Sequence, residues 1–235
     1  MMSKGKELLD LLYPARCPVC DGILLPEEEV CEECRTKLKY VSEPRCRKCS
    51  KPLQDEETEY CHDCMGGMHI YDSGLSLYEY ESVKDSIYRF KYKERCEYAD
   101  FYGKEIAGHL GEKIKAWKPD ALIPVPLYWK KERMRGYNQA KLLADAVGNY
   151  LHIPVRGDLV LRQRKTVPLK ELDPVRRQIN LKKAFIISQF DVKLNCIIIV
   201  DDIYTTGSTI DEMARVLRTA GISRIYFVTL AVGGS

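Results

Sequence analysis

One stretch of this 235-residue chain places a pair of carboxylates beside a turn that suits a phosphate. Residues 197–200 are apolar and mostly β-branched, as in a strand buried on both faces, and Asp201 and Asp202 follow where that strand is expected to end. The turn after them contains Gly207, which lets the backbone approach a bound group closely. Its hydroxyl side chains belong to Thr205, Thr206, Ser208 and Thr209. Because the N–H groups and the dipole of the following helix point at one spot, the stretch predicts a cradle for a phosphate.

The two carboxylates narrow the choice of ligand. Adjacent aspartates at the carboxyl edge of a strand can accept bonds from vicinal hydroxyls or hold Mg²⁺ through water. A phosphate next to a diol is a phosphorylated ribose, so the stretch favours a ribose phosphate. The alternative is an ordinary turn between a strand and a helix of an open α/β sheet, in which Asp and Thr are common.

The run from Ile197 to Thr209 resembles the signature with which type I phosphoribosyltransferases bind phosphoribosyl pyrophosphate (PRPP). The resemblance implies that Asp201 and Asp202 meet the ribose hydroxyls. It also implies that residues 205–209 hold the 5′-phosphate and that Mg²⁺ accompanies PRPP.

A second unusual segment runs from Trp129 to Gln139 and carries the pattern Arg-x-Arg-Gly-Tyr-Asn-Gln before a predicted helix. Arg133, Arg135 and Gly136 in a loop suit pyrophosphate, which needs several charge-assisted donors at once. The candidate nucleic-acid contacts in this segment are Lys130, Lys131 and Tyr137.

An enzyme that used this site would displace pyrophosphate from the anomeric carbon with a nucleophilic acceptor. The candidate catalytic residues are Asp201, Asp202 and Arg135. Mg²⁺ together with Arg133, Arg135 or Arg162 would stabilise the charge that develops on the leaving group. No residue indicates which acceptor is used.

Eight of the ten cysteines form four Cys-x-x-Cys pairs. These pairs are Cys17/Cys20, Cys31/Cys34, Cys46/Cys49 and Cys61/Cys64. Since two pairs complete a tetrahedral tetrathiolate site, the pattern predicts a pair of zinc ribbons that hold one or two structural Zn²⁺ ions. Sequential pairing is the simplest arrangement, crossed pairing is left open, and disulfides are the alternative to zinc. Cys96 and Cys196 are isolated and are interpreted as plain thiols.

The four cysteine knuckles, the Pro-Val-Pro of residues 124–126, the basic segment and the PRPP-like run together resemble the ComF family of competence proteins. The match extends along almost the whole chain. The resemblance implies a factor of natural transformation, in which imported single-stranded DNA enters the cytoplasm, whether or not phosphoribosyl chemistry is retained.

Residues 161–180 also have ComF character. The resemblance makes residues 165–180 a mobile hood that closes over PRPP, with Leu169 where relatives commonly carry glutamine. The cations assigned here are Arg162 and Lys165 for PRPP, and Arg164 and Arg177 for nucleic acid. A solvated basic loop is the alternative interpretation.

The net charge of +3 conceals a strong asymmetry. Residues 1–66 hold 10 Lys/Arg and 14 Asp/Glu, a net of −4, whereas residues 126–183 hold 14 Lys/Arg and 5 Asp/Glu, a net of +9. A basic region of this size favours a polyanionic ligand or partner.

The chain has the composition of a globular protein, and its longest apolar runs are far too short to span a bilayer. Glu7 and Asp10 interrupt the Leu-rich start, and no small-residue cleavage site follows. We therefore expect a cytoplasmic protein without membrane insertion, held peripherally at the inner membrane, if at all, by a partner.

The Met-Gly-Gly-Met of residues 65–68 predicts a boundary between a double zinc-ribbon module over residues 1–66 and a phosphoribosyltransferase-like domain over residues 67–235. Strands and helices alternate in the second domain, so the predicted fold class is α/β, with a mainly parallel sheet flanked by helices. The predicted strands cover residues 73–80, 121–125, 185–187, 197–200 and 224–230, and the last of them is expected to close the sheet.

Apolar residues at helical spacing predict which helix faces are buried. These faces are Val83/Ile87/Phe90, Ile106/Leu110/Ile114, Leu143/Ala146/Val147/Tyr150 and Ile210/Met213/Ala214/Leu217. Residues 88–93 alternate aromatic and basic side chains, which favours an amphipathic helix with a solvated rim over a surface that stacks nucleic-acid bases.

Three functions remain in competition at this point. The first is a PRPP-binding protein of the transformation machinery that handles single-stranded DNA. The second is an active phosphoribosyltransferase that acts on a base or an amine. The third is an adaptor whose zinc module docks a helicase or a membrane DNA-uptake channel.

Overall fold

A computed structural model of the chain describes residues 14–67, 69–163, 184–188 and 193–233. Its helices are α1 (Glu32–Arg35), α2 (His62–Met65), α3 (Tyr80–Tyr92), α4 (Tyr98–Ala116), α5 (Trp129–Arg135), α6 (Gln139–Leu151) and α7 (Ser208–Thr219). Its strands are β1 (Ser73–Glu79), β2 (Ala121–Pro124), β3 (Val160–Arg162), β4 (Phe185–Ile187), β5 (Cys196–Tyr204) and β6 (Arg224–Val232). Within these residues no helix has the length and apolarity needed to cross a membrane.

Four of the strands form one parallel sheet in the order β1-β6-β5-β2, which confirms the predicted fold class. The prediction that residues 224–230 close the sheet is wrong, because β6 lies inside it between β1 and β5. Nearly all of β6 is buried, as expected for an interior parallel strand that is covered on both faces.

The strand β5 divides the apolar core in two. Ile198 and Val200 pack in the cluster that holds α3, α4 and α6, whereas Ile197 and Ile199 pack in the cluster that holds α7. This alternation follows from the two-residue period of a strand. The predicted core faces of the helices are buried, with one exception: Tyr150 is 40% exposed.

The N-terminal cysteine module covers the edge of the sheet. Val41 N–H donates to Leu77 O over 2.9 Å, and Glu79 N–H donates to Lys39 O over 2.9 Å, so residues 39–41 pair with β1. Covering an edge strand in this way satisfies its free N–H and C=O groups.

The strands β3 and β4 form a separate antiparallel pair. The strand predicted at residues 185–187 is therefore confirmed, but it lies outside the parallel sheet. The predicted hood over residues 165–180 lies outside the described residues.

Candidate functional site

The acid pair lies within a strand rather than after it. The strand β5 continues through Asp201 and Asp202 to Tyr204, so the prediction that it ends before the pair is wrong. The neighbouring β2 stops at Pro124, opposite Val200, while β6 stays paired to the end of β5. The two carboxylates therefore stand on a strand that extends past one of its neighbours, at the carboxyl edge of the sheet where ligands of α/β folds bind.

A cavity of ≈ 420 Å³ opens at this edge. The predicted phosphate-binding residues line it together with the acid pair, and they are Thr205, Thr206, Gly207, Ser208 and Thr209. Tyr80, Glu81 and Gly233 complete one wall. The structure thus brings into one cavity the residues that the sequence assigned to the ribose hydroxyls and to the 5′-phosphate.

The phosphate loop, residues 205–209, ends in the first turn of α7. Gly207 has φ 75°, a left-handed conformation, and within the described residues no side chain caps the helix. The first helical bond runs from Asp211 N–H to Gly207 O over 2.8 Å, and Thr206 Oγ1 lies 2.9 Å from Ser208 Oγ. The early N–H groups of this 12-residue helix, its dipole and the hydroxyls are groups that attract anions.

Lys91 is a residue of the site that the sequence analysis missed. It lies near the end of α3, lines the cavity, and places its Nζ 2.6 Å from Oδ2 of Asp202. Both side chains are largely buried. A signal was available: Lys91 follows Ile87 by four residues and Val83 by eight, so it lies on the buried face of an amphipathic helix. A lysine on the buried face of a helix needs an acidic partner that compensates its charge.

The protonation of Asp201 is set by its surroundings. Burial, and then the neighbouring Asp202 carboxylate, raise the pKa of Asp201 from 3.8 to about 7. Lys91 and Arg162 act in the opposite direction. Burial lowers the pKa of Arg162, and the charge of Asp201 opposes that shift, which places the guanidinium within the field of the acid pair. The guanidinium also lies over the Phe185 ring, 5.4 Å from its centroid.

The basic segment is helical where a loop was predicted. Arg133 and Arg135 lie in the last turn of α5, and Gly136 ends that helix with φ 87° while its N–H donates to Glu132 O over 2.7 Å. The glycine is thus explained by a helix terminus rather than by approach to a pyrophosphate. Neither arginine lines the cavity with the acid pair.

Arg135 is engaged with its neighbours. Its guanidinium donates to Gln139 Oε1 and lies over the Tyr92 ring, 4.8 Å from the centroid. Tyr137 is half-buried, and its hydroxyl donates to Phe90 O over 2.6 Å, so this residue joins α3 to the start of α6 instead of facing solvent as a nucleic-acid contact would. The predicted helix cap is confirmed: Asn138 Oδ1 accepts from Ala140 N–H over 3.1 Å.

An aromatic–basic surface, made of Tyr88, Tyr92, Trp129, Lys130 and Arg135, lies outside the cavity. The three aromatic side chains are each about half exposed. The Tyr88 and Tyr92 rings lie 5.1 Å apart, and Lys130 Nζ lies 5.1 Å from the Trp129 ring centroid. The apolar face of α3 is buried as predicted, so the helix supplies both a packed face and an aromatic rim. Lys165, Arg164 and Arg177 are outside the described residues.

The eight paired cysteines form two clusters. The ligand atoms of Cys17, Cys20, Cys31 and Cys34 all lie within 4.8 Å of one another, as do those of Cys46, Cys49, Cys61 and Cys64. This is the sequential pairing that was predicted. All ten cysteines lie within the described residues, and none forms a disulfide. Four thiolates at this mutual spacing fit a tetrahedral zinc ion.

The two cysteine clusters contact different parts of the domain. Near the first cluster, Arg95 and Tyr98 bind the Asp21 carboxylate, and Arg89 donates to Val19 O. The second cluster packs beside Tyr71 on the face of the sheet that carries α7.

Comparison with known families identifies both parts of the chain. Residues 8–65 match the Double zinc ribbon domain, and residues 103–235 match the Phosphoribosyl transferase domain. The second match covers more than half of the chain.

Several characterised proteins are similar over nearly their full length. Competence protein F of Haemophilus influenzae is 31% identical over 227 residues, which cover 92% of this chain and 96% of that protein. Competence protein ComFC of Bacillus subtilis is 31% identical over 211 residues, which cover 85% and 82%. DNA utilization protein YhgH of Escherichia coli K12 is 26% identical over 220 residues, which cover 92% and 96%.

Proposed function

The chain belongs to the ComF family of competence proteins, and from that premise we propose that it binds PRPP with Mg²⁺ and handles single-stranded DNA during DNA uptake. One observation carries the PRPP part of the proposal. The acid pair and the phosphate loop line a single cavity of ≈ 420 Å³. A carboxylate pair beside an anion cradle suits a ligand that carries a diol next to a phosphate.

The residues of the site divide the ligand between them. The N–H groups and hydroxyls of the phosphate loop bind the 5′-phosphate, while Asp201 and Asp202 accept from the ribose hydroxyls or hold water-bound Mg²⁺. The metal would neutralise the pyrophosphate. Lys91, which pairs with Asp202, and Arg162, whose charge acts on Asp201, are the candidate side-chain cations for it.

Isothermal titration calorimetry with PRPP and Mg²⁺ tests this assignment. The double variant Asp201→Asn/Asp202→Asn should show no binding. Asp145→Asn, which removes a carboxylate from the surface of α6, is the matched control and should bind as the unaltered protein does. Unchanged affinity in the double variant would eliminate the PRPP site.

The aromatic–basic surface supports the DNA part of the proposal. Exposed rings flanked by cations bind single strands because bases stack on the rings and the cations attract phosphates. Tyr92 and Arg135 are in contact, so one side of this surface presents a ring and a guanidinium together. Lys130 and Arg135 of this surface belong to the segment with a net charge of +9, and Lys91, near the end of α3, lines the cavity.

Fluorescence anisotropy with a labelled single-stranded oligonucleotide tests the DNA part. We expect binding that weakens steeply with salt. Tyr88→Ala/Tyr92→Ala should weaken binding by about 1 to 3 kcal/mol for each unstacked base without changing the salt slope. Arg133→Gln, by contrast, should reduce the slope by about 1 if that residue contacts a phosphate. Tyr60→Ala, an exposed aromatic residue of the cysteine module, is the control. Absence of binding at low salt would exclude the surface.

A catalytic phosphoribosyltransferase is the second candidate, and the match of residues 103–235 to the Phosphoribosyl transferase domain favours it. Asp201, whose raised pKa of about 7 lets it accept a proton near neutral pH, is the candidate base. In such a reaction the acceptor nitrogen forms a bond to the anomeric carbon, the bond to pyrophosphate breaks, and Asp201 takes the proton from the nitrogen. Release of pyrophosphate from PRPP that depends on an added base or amine would establish the activity. The activity would be excluded if an added base or amine did not increase pyrophosphate release, and if the unaltered protein released pyrophosphate by hydrolysis of PRPP no faster than Asp201→Asn does.

We propose that the protein acts in the cytoplasm. A helicase or a DNA-uptake channel would hold it at the periphery of the inner membrane. The names of its relatives, competence and DNA utilization proteins, support a role in the handling of DNA. An adaptor role through residues 1–66 predicts that such a complex survives Asp201→Asn/Asp202→Asn but is lost when these residues are deleted. A complex that is lost in the double variant instead would connect the partner to the PRPP site.

A further inference from the structure

The segment that leaves the second cysteine cluster also contacts the phosphate loop. This linker, residues 66–72, joins Cys64 to β1, and its described residues reach both ends of α7. At the far end, Arg218 binds the Asp72 carboxylate over 2.9 and 3.0 Å and donates to Ile70 O over 3.4 Å. At the N-terminal end of α7, the linker contacts Asp211 in the first turn and lies next to Gly207 of the phosphate loop.

His69 holds a carboxylate in the first turn of α7. Its Nδ1 lies 2.7 Å from Oδ2 of Asp211, and Ile70 N–H donates to Oδ1 of the same carboxylate over 2.8 Å. The side chains of His69 and Asp211 are only 7% and 13% exposed. Among the described residues, the other ring nitrogen of His69 has no hydrogen-bond partner, so the contact with Asp211 is the polar interaction that orients the ring.

His69 also lies next to Gly207 of the phosphate loop. A Cβ placed on Gly207 would lie 3.0 Å from Cε1 of His69 and 2.7 Å from the hydroxyl of Tyr204. Tyr204 in turn lies 2.6 Å from the hydroxyl of Tyr71, and the His69 and Tyr71 rings stack with centroids 4.9 Å apart. The side chains that pack next to the loop therefore include His69 of the linker, and Tyr71 of the linker contacts both His69 and Tyr204.

These tyrosine side chains also pack in the buried cluster that contains the second set of cysteines. Tyr71 shares one buried cluster with Cys46, Cys49 and Cys64. Lys48, which lies between two of the ligands, places its Nζ 5.7 Å from the Tyr71 ring centroid, and its carbonyl accepts from Gly74 N–H over 2.8 Å. The second cluster and Tyr71 are therefore in contact through the buried core and through Lys48.

We propose that His69 is a positioning residue for the phosphate loop, and that through the linker the second zinc ribbon sets the affinity of this loop for a phosphate monoester. The inference rests on the proposed PRPP function and adds a means by which metal loading controls it. An unheld carboxylate in the first turn of a helix is attracted to the same N–H groups that a phosphate needs, and it repels the phosphate. His69 and Ile70 hold Asp211 away from that position.

Ribose 5-phosphate is the probe, because it carries the phosphate and the diol but lacks pyrophosphate. We expect His69→Ala to weaken its binding in calorimetry by about tenfold or more, as a misplaced binding group does. His69→Asn retains an N–H donor close to the position of Nδ1 and should restore most of the affinity. His62→Ala is the control, since that histidine belongs to the neighbouring cysteine module and is 98% exposed.

A double variant separates positioning from a general loss of structure. If Asp211 interferes once it is released, His69→Ala/Asp211→Asn should bind ribose 5-phosphate more tightly than His69→Ala alone. A merely structural role predicts further weakening. Affinity of His69→Ala equal to that of the unaltered protein, or a double variant weaker than the single one, would overturn the inference.

The two zinc ribbons allow a matched comparison of metal sites. Cys61→Ser and Cys31→Ser remove the equivalent ligand from the second and the first cluster. The former should weaken ribose 5-phosphate binding and the latter should leave it within about threefold, because independent sites add without coupling. Equal effects would contradict the linker route. If the unaltered protein bound neither PRPP nor ribose 5-phosphate, the proposed function itself would fail.

Discussion

Lys91 Nζ lies 2.6 Å from Oδ2 of Asp202, so that one helix end places a cation against the acid pair at the sheet edge. The side chains of Lys91 and Asp202 are both largely buried, and the neighbouring carboxylate of Asp201 lines the same cavity. Two neighbouring carboxylates cannot both ionise easily without such a cation. Lys91 thus offsets the negative charge of the acid pair.

Removing Lys91 should leave an uncompensated charge. We expect Lys91→Met to lower the free energy of unfolding by about 1 to 3 kcal/mol, since truncating one partner of a buried pair costs more than the pair contributes. Adding Asp202→Asn should recover most of that loss. Urea unfolding of both single variants and the double variant measures the coupling.

The control for this cycle is Lys84→Met. Lys84 pairs with Glu81 on the exposed face of the same helix, and such surface pairs contribute little. A loss as large as that of Lys91→Met would show that helix α3 itself, rather than the acid pair, responds to the substitution.

The pKa of Asp201 predicts how stability depends on pH. Between pH 3.8 and about 7 the native carboxyl holds its proton while the unfolded one has lost it, so the free energy of unfolding falls as the pH rises through this window. We expect Asp201→Asn to remove this dependence and to stabilise the free protein at pH 8 by about 1 to 3 kcal/mol. Urea unfolding from pH 4 to pH 8 measures it.

Asp120 provides the contrasting control. Its carboxylate accepts from the N–H groups of Cys196 and Asn195, which hold its pKa below the ordinary value. This group stabilises the fold above the ordinary pKa of the carboxyl, so Asp120→Asn should destabilise the protein at pH 8. If Asp201→Asn also destabilised it, Asp201 would be ionised and satisfied in the free protein.

Much of this arrangement could be predicted from the sequence because the signals are local. The strand–loop–helix around Asp201, the zinc knuckles and the buried helix faces each depend on residues that are close together in the chain. The parallel sheet followed from the alternation of strands and helices. These features obey periodicity and turn chemistry, which a single sequence displays.

The remaining features depend on contacts between distant residues. His69 and Asp211 are 142 positions apart, and no pattern in either neighbourhood pairs them. Lys91 has a visible signal, a cation on an apolar face, but its partner depends on how α3 crosses β5. The place of β6 inside the sheet is likewise set by packing rather than by local pattern.

The cysteine clusters predict two zinc ions for each chain. Native mass spectrometry should therefore show the mass of the apoprotein plus two zinc ions, and Cys46→Ser should lose one of them. Cys96→Ser is the control: that cysteine is exposed, belongs to neither cluster and should leave both ions bound. A single ion in the unaltered protein would mean that one cluster is not a zinc site.

Gly207 offers a test of the phosphate loop that needs no change of charge. An alanine there must adopt φ 75°, and its Cβ would lie 2.7 Å from the hydroxyl of Tyr204. The backbone strain alone costs about 1 to 2 kcal/mol, and the close contact adds to it. We expect Gly207→Ala to lower stability and to abolish the binding of ribose 5-phosphate, because the displaced loop no longer directs its N–H groups at one point.

Gly221→Ala is the matched control for this substitution. Gly221 has φ 91°, but a Cβ there would meet nothing within 4 Å, so the variant carries the strain without the contact. Thermal unfolding should show both variants destabilised, with Gly207→Ala the more affected, while calorimetry should show ligand binding retained in Gly221→Ala alone. Equal ligand affinity in the two variants would mean that the loop tolerates displacement, and the close approach of the backbone to a phosphate would then play no part in binding.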